Sequence, residues 1–257
     1  MRLLKASVIY FVIICVGLPL LYRFYVSSGK LQQPSFSMYG TKPQPETQGN
    51  RVKACFVVLI RNTELEEWRT SMLQLEDRFN KHHNYPYVFL NNVLFTDEFK
   101  KSVQALTKAK IDFGLVPSEH WSYPAFIDQG KAKHKREQMK RDGVMHGDKE
   151  SYHHMCRFES GFFFLHNLTL EYDYYWRVEP GVSLCDITRD PFLLMQQNNL
   201  KYGFTISLHE YLNTIPTLWS TVRKWIDERS LRKNLPKDNA MQFISDDGGR
   251  TYNMCHF

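Results

Sequence analysis

The sequence predicts an α/β fold, a mainly parallel sheet with helices on both faces. Three observations support it. From Arg51 onward, apolar runs of strand length alternate with helical patterns. The opening run ACFVVLI has the continuous hydrophobicity of a strand buried on both faces. Apolar residues then recur at spacings of three and four from Leu65 to Phe79, which predicts a helix. Thr63 and Glu66 are spaced as a capping box at the start of the resulting helix.

The same alternation continues along the rest of the chain. Further strands are predicted at Tyr85–Leu90, Ile111–Val116, Tyr174–Val178 and Tyr202–Leu208, and helices between the second and third strands, near Tyr152–His166 and near Thr217–Arg232. Because ligands of such sheets bind outside the carboxyl ends of the strands, the residues directly after each strand are the first candidates for a functional site.

The amino terminus predicts a membrane anchor. Arg2 and Lys5 precede an uncharged, mostly apolar run over residues 6–22. A cleaved signal peptide is the alternative, but the run exceeds the usual length of a signal core. Positive charge before the span places the short tail in the cytosol and the remainder in the lumen. We therefore expect a cytoplasmic tail at 1–5, a signal-anchor transmembrane helix at 6–26, a flexible stem at 27–50 and a lumenal domain at 51–257.

Charge and cysteine content are consistent with that layout. The net charge of +6 favours an anionic partner such as a nucleotide diphosphate or a membrane surface. The basic stretch KAKHKREQMKR has no interleaved aromatic residues, which favours a solvated helix face over a nucleic-acid site. In an oxidising lumen, Cys55, Cys156, Cys185 and Cys255 allow three disulfide pairings. Asn167-Leu168-Thr169 is a glycosylation sequon compatible with a lumenal domain.

Two predicted strand ends carry residues suited to chemistry. Arg61 follows the first strand, where a guanidinium can contact a phosphate or a base, although an arginine at the start of a surface loop is an equally good interpretation. Glu179 follows the strand ending at Val178, where a carboxylate can anchor a divalent cation. Because Gly181 leaves no second acid at i+2, the residues alone favour the interpretation of Glu179 as a surface acid at a strand end. His153 and His154 are adjacent and, in a helix, point about 100° apart, so they are not predicted to share a metal ion.

An ordered set of motifs identifies a family resemblance. The segments, in chain order, are RNTELEEWRTSMLQLEDRFNKHHNYPYVFLNN, FTDEFK, HWSYPAFID, SYHHMCRFESGFF, YYWRVEPGV, YGFTISLHEY, TIPTLW and SDDGGRTYNMCHF. Together they resemble the fungal Kre2/Mnt1 (KTR) α-1,2-mannosyltransferase family over essentially the whole of residues 51–257.

The resemblance implies a GT-A fold in a Golgi type II membrane protein. It also implies transfer of mannose from GDP-mannose, with retention, to O- or N-linked mannosylated glycoprotein acceptors, with manganese (Mn²⁺) as cofactor. By matching motifs, the metal-binding glutamate is Glu179, and the donor-binding residues are Arg61, Tyr152 and Arg177. Gly181 stands where many members carry a polar or acidic residue.

The family's proposed nucleophile, a glutamate, follows the CHF motif and would lie beyond Phe257. The expectation is thus a carboxyl-terminally truncated member in which no catalytic nucleophile is assigned. Two alternatives remain: a non-catalytic binding module, and a mannosylphosphate transferase with the same fold.

Overall fold

The computed structural model describes residues 51–206, 208–229, 231, 239 and 241–252. The predicted cytoplasmic tail, transmembrane helix and stem, at residues 1–50, lie outside the described residues. In the part of the chain that is described, no helix is both long and apolar enough to cross a membrane.

The centre of the domain is a four-stranded sheet in the order β3-β2-β1-β4. Every pair of neighbouring strands is parallel. This confirms the predicted parallel α/β sheet, and the strands begin and end within about two residues of the predicted positions. The strands are β1 (Ala54–Leu59), β2 (Tyr87–Asn91), β3 (Ile111–Leu115) and β4 (Tyr174–Arg177).

Helices connect the strands and follow the last of them. The helices are α1 (Leu65–Leu75), α2 (Asp97–Gln104), α3 (Gln129–Arg141), α4 (Glu150–Gly161), α5 (Pro191–Gln197), α6 (Leu218–Glu228) and α7 (Met241–Ile244). Helix α1 continues through a π-helical turn at Glu76–Asn80 and a last turn at Lys81–His83. Short 3₁₀ turns lie at Asn62–Glu64, Ser118–His120, Phe163–Leu165 and Leu212–Thr214.

Alternate residues of β1 enter two different hydrophobic clusters, one on each face of the sheet. Phe56 and Val58 belong to the larger cluster, with side chains from α1, α2 and α5. Cys55 and Val57 belong to the smaller one, with Phe158 of α4. Both faces of β1 are therefore covered, which is why its sequence is apolar without interruption.

The start of α1 differs from the prediction. Its first residue is preceded by Glu64, whose side chain does not cap the helix, and Glu66 pairs instead with Arg69 at 3.0 Å. Glu64 turns back and accepts a hydrogen bond from the backbone N–H of Arg61 at 2.8 Å. The predicted capping box of Thr63 and Glu66 was therefore wrong, because a 3₁₀ turn is inserted between β1 and α1.

The chain after β4 also differs from the prediction in two respects. The predicted strand at 202–208 is irregular over its described residues, apart from an isolated bridge at Leu208, so that prediction was wrong. Its alternating apolar side chains suit a strand, but its described residues do not pair into the sheet. Helix α5 was not predicted, although Asp190 caps it through two backbone N–H groups and Pro191 is its first residue.

Charged and cysteine residues are distributed as follows. The basic stretch forms α3, whose side chains are exposed or partly exposed, in agreement with a solvated helix face. Of the cysteines that the structure describes, Cys55 is buried, Cys156 and Cys185 are exposed, and all three are free thiols. Cys255 lies outside the described residues, so the pairing expected in a lumen stays open.

Candidate functional site

A cleft of about 300 Å³ lies at the carboxyl edge of the sheet. It is where the fold class predicts a ligand site. The chain that follows each strand contributes to its wall: Arg61 after β1, Asn92 after β2, Trp121 after β3 and Glu179 after β4. The amino-terminal end of α4 closes the cleft with Ser151 and its neighbours.

Arg61 is held at the cleft by one backbone contact and one side-chain contact. Its own N–H is bound by Glu64, as described above. Its guanidinium reaches across the cleft, where Nη2 donates to Oγ of Ser151 at 3.4 Å. Because this contact is long and the side chain is exposed, the guanidinium keeps most of its donors for another partner. It is placed to contact an anion in the cleft.

Glu179 is part of a chain of charges that runs from the cleft into α4. Arg177 forms an ion pair with Glu179, with Nε 3.2 Å from Oε1, and donates a hydrogen bond through Nη1 to Oε2 of Glu159 at 3.0 Å. The side chain of Glu179 is 48% exposed, whereas that of Glu159 is 14% exposed. Arg177 therefore fixes one oxygen of Glu179 and leaves the other oxygen available to the cleft.

The electrostatics of this chain favour a cation near Glu179. Partial burial raises the pKa of Glu179 above its ordinary value, the charge of Arg177 opposes this rise, and the charge of Glu64 adds to it. Burial likewise raises the pKa of Glu159, again opposed by Arg177. A divalent cation bound by Glu179 would relieve its repulsion with Glu64.

The turn after β4 accounts for the glycine at position 181. Gly181 has a φ of +77°, in the left-handed region that side-chain-bearing residues rarely adopt. A Cβ there would meet no atom within 4 Å, so the glycine is required by the backbone conformation and not by lack of space. The sharp turn keeps Glu179 and Pro180 at the lip of the cleft.

Tyr152 lines the cleft from the first turn of α4. Its ring packs on His146 with a centroid distance of 4.9 Å, and Cys156 lies one turn further along the helix. Partial burial, followed by the neighbouring Cys156, raises the pKa of the Tyr152 phenol above its ordinary value. The phenol therefore stays protonated and can donate a hydrogen bond at neutral pH.

The structure thus brings three of the four predicted site residues, Arg61, Tyr152 and Glu179, to one cleft. Arg177 does not line the cleft, and its guanidinium contacts two carboxylates. In this geometry it would act on a nucleotide in the cleft through Glu179. Their roles as donor-binding and metal-binding groups stay predictions.

Sequence reasoning missed the asparagines at the end of β2. Asn91 is the last residue of β2 and Asn92 follows it, and both line the cleft. They come after the apolar run YVFL, as Arg61 comes after the apolar run of β1, which is the signal that could have found them. Asn62 fastens this segment in place: its Nδ2 donates to the Leu94 carbonyl at 3.0 Å, and its Oδ1 accepts from the Thr96 N–H at 3.1 Å.

The carboxylate oxygens of the cleft suit a hard divalent cation that takes only a few of its ligands from the protein. Among the described residues there is no group of three His, Cys, Asp or Glu side chains that could hold a metal ion. Glu64 and Glu179 nevertheless both line the cleft. Mg²⁺-like sites commonly use one or two carboxylates and take the remaining ligands from phosphates and water. His153 contacts the Gly147 carbonyl and is not part of this set.

A parallel α/β domain with a polar cleft at the carboxyl edge of its sheet is the architecture of ligand-binding α/β enzymes. A sequence profile described as glycolipid 2-alpha-mannosyltransferase matches residues 26–257. The chain therefore belongs to this mannosyltransferase family, in agreement with the family resemblance of its motifs.

Curated relatives come from several yeasts. Glycolipid 2-alpha-mannosyltransferase 2 of Candida albicans is 52% identical over 208 residues, covering 80% of this chain and 45% of the relative. Alpha-1,2 mannosyltransferase KTR1 of Saccharomyces cerevisiae is 47% identical over 220 residues, covering 85% of this chain and 56% of the relative. The chain spans about half the length of the curated relatives it matches.

Solved structures with the same GT-A-like fold are also similar to this chain. Core-mannan synthase A (CmsA/Ktr4) from Aspergillus fumigatus, in its Mn/GDP form, matches with a TM-score of 0.76 and 38% identity, covering 82% of this chain and 59% of that one. The mannosyltransferase Ktr4p from S. cerevisiae, in complex with GDP, matches with a TM-score of 0.75 and 33% identity, covering 80% and 55%.

Proposed function

We propose that the protein transfers mannose from GDP-mannose to mannose-terminated O- or N-linked glycans, with retention and an α-1,2 linkage. The observation that carries this proposal is the cleft, where Arg61 and Glu179 flank one space at the carboxyl edge of the sheet. Family membership supports it, since a relative with a TM-score of 0.76 has been solved with manganese and GDP.

Each side chain then has a role that follows from its position. The free donors of Arg61 bind the diphosphate of GDP-mannose, and the Tyr152 phenol donates a hydrogen bond at the same wall. Glu179 holds the manganese ion, which would supply positive charge for the departing diphosphate. Arg177 keeps the Glu179 carboxylate oriented through its contact at 3.2 Å and is itself held by Glu159.

The test uses the purified chain of residues 1–257. We expect calorimetry to detect GDP binding in the presence of manganese and to lose it when EDTA removes the metal. With GDP-mannose and a mannobiose acceptor, we expect a trisaccharide that α-1,2-mannosidase degrades. UDP replaces GDP in the control titration and is expected to bind more weakly.

Each of the other outcomes has a definite meaning. A mannosylphosphate product would contradict mannose transfer and favour the phosphate-transferring alternative. GDP binding without any transfer would favour the non-catalytic binding module. A folded protein that ignores GDP and GDP-mannose would show that the proposed function is wrong.

We also propose that the protein is a single-pass type II protein of the Golgi membrane with residues 51–257 in the lumen. The charged residues Arg2 and Lys5 before the apolar run support this orientation.

The glycosylation sequon Asn167-Leu168-Thr169 lies in a folded turn. Asn167 is exposed, whereas the Thr169 hydroxyl is buried and donates to the Phe163 and His166 carbonyls at 2.8 and 2.7 Å.

Lumenal placement predicts that Asn167 receives an N-linked glycan before this turn folds, because the folded turn occupies the threonine hydroxyl. Treatment with a peptide N-glycosidase should increase electrophoretic mobility, and Asn167→Gln should remove that shift. In sealed Golgi vesicles the domain should resist an added protease until detergent is present. Digestion of the domain in sealed vesicles would contradict the orientation.

A further inference from the structure

Glu159 is a largely buried carboxylate of α4 that lies outside the wall of the cleft. Its side chain is 14% exposed, and it directly follows Phe158, which is fully buried in the smaller hydrophobic cluster. The packing of α4 therefore fixes the position of this carboxylate. A charge with little access to water is costly unless it is paired, and Arg177 supplies the pairing through Nη1, which donates to Oε2 at 3.0 Å.

Arg177 lies between Glu159 and Glu179. Its Nε is 3.2 Å from Oε1 of Glu179 in an ion pair, whereas its hydrogen bond through Nη1 goes to Glu159. A guanidinium presents its donors in a planar fork that matches both oxygens of one carboxylate. Without Glu159, the guanidinium would be free to pair with both oxygens of Glu179.

A guanidinium paired in that way would compete with a divalent cation for Glu179. The wall of the cleft carries two cationic side chains and two carboxylates: Arg61, Lys149, Glu64 and Glu179. These charges balance, so the charge of Arg177 directly behind them would repel a cation unless it is offset. The carboxylate of Glu159 supplies the offsetting negative charge.

We propose that Glu159 is a positioning residue for the metal site. It holds the guanidinium of Arg177 and offsets its charge, which keeps one oxygen of Glu179 open to a divalent cation. It acts through Arg177 and contacts neither the ion nor the nucleotide. This inference rests on the proposed function, because it takes Glu179 as the carboxylate that holds manganese.

The experiment measures manganese affinity and not the transfer of sugar. The purified chain of residues 1–257, with a fixed excess of GDP, is titrated with Mn²⁺ while the electron paramagnetic resonance signal reports free Mn²⁺; GDP without protein is the blank. Glu159→Leu should weaken manganese binding by about 10–100-fold, the usual effect of losing a residue that supports a metal ligand. Glu137→Leu is the same change on α3, away from the cleft-lining residues, and should bind as wild type does.

A second substitution tests whether Glu159 acts through Arg177. In Glu159→Leu/Arg177→Gln the competing guanidinium is gone, so most of the lost manganese affinity should return. A role confined to the folding of α4 predicts the opposite, because removing another contact would not restore binding. Circular dichroism and the melting temperature check that each variant is folded. Glu159→Gln, which keeps the shape and removes the charge, replaces the leucine variant if that one does not fold, with the same expected loss and recovery.

The two proposals fail in different ways. If wild type binds manganese and Glu159→Leu binds it equally well, the role of Glu159 is wrong and the proposed function stands. If the double variant binds as weakly as Glu159→Leu, Glu159 does not act through Arg177, and the inference is again wrong. If folded wild type binds no more manganese than the GDP blank, the metal site of the proposed function is wrong, and the inference with it.

Discussion

Glu179→Ala is expected to weaken manganese-dependent GDP binding by at least about 100-fold, since even residues that only support a metal ligand change metal affinity by about 10–100-fold. Glu64 is the other carboxylate of the cleft, and one of its oxygens is already bound to the Arg61 N–H at 2.8 Å. Glu64 can offer the ion its second oxygen, but on its own it would supply fewer protein ligands than the two carboxylates together. Loss of the metal should remove nucleotide binding, not merely slow the transfer of sugar.

The fold should survive this substitution, because the Glu179 side chain is 48% exposed and Arg177 keeps its partner Glu159. Circular dichroism and the melting temperature check the fold, and calorimetry with manganese and GDP checks binding. Glu66→Ala is a matched control: its carboxylate is 78% exposed on α1 and pairs with Arg69, away from the residues that line the cleft. An alanine variant at Glu179 that binds GDP with unchanged dependence on manganese would show that a different group holds the ion.

Much of the site was predictable because parallel strands share one carboxyl edge. Arg61 and Glu179 lie more than a hundred positions apart in the chain, yet each directly follows an apolar strand. Once both strands are assigned to one parallel sheet, their ends have to meet at the same edge. The pairing of β1 with β4 makes them neighbours, which strand assignment alone did not specify.

The contacts made by the charged groups were not predictable from the pattern. Arg177 and Glu179 are two residues apart, so their proximity was accessible, but the partner on α4 was not. Glu159 is brought to Arg177 by the packing of α4 through Phe158 onto one face of the sheet. Tertiary packing therefore places Arg177 between two carboxylates, those of Glu159 and Glu179, which its position in the sequence did not indicate.

The error at residues 202–208 has a related cause. Alternation of apolar and other residues indicates which side chains could share a face, but a strand also needs a neighbour with free backbone groups. The described sheet ends at β4, and the described residues of this segment do not join it. The missed helix α5 was accessible instead from local chemistry, the Asp190 cap followed by Pro191.

Phe56→Ala is expected to destabilise the domain by about 3–5 kcal/mol, the usual cost of truncating a fully buried phenylalanine. Phe56 is 0% exposed and lies at the centre of an aromatic cluster. Its ring stacks on Tyr87 at 5.0 Å and meets Phe192 at 5.7 Å and Trp176 at 5.8 Å. These partners come from β2, α5 and β4, so the cavity left by the missing ring would remove packing contacts from three elements at once.

Urea unfolding measures this cost, and Phe126→Ala is the control of identical chemistry. Phe126 is 84% exposed, so its loss should change the unfolding free energy by less than about 0.5 kcal/mol. Equal midpoints for the two variants would contradict a core centred on β1. Arg61 follows the same strand, so weaker packing around Phe56 should also reduce GDP affinity in the variant molecules that remain folded. Stability and binding are linked here because the residue that fills the core and the residue that faces the cleft lie on one continuous segment.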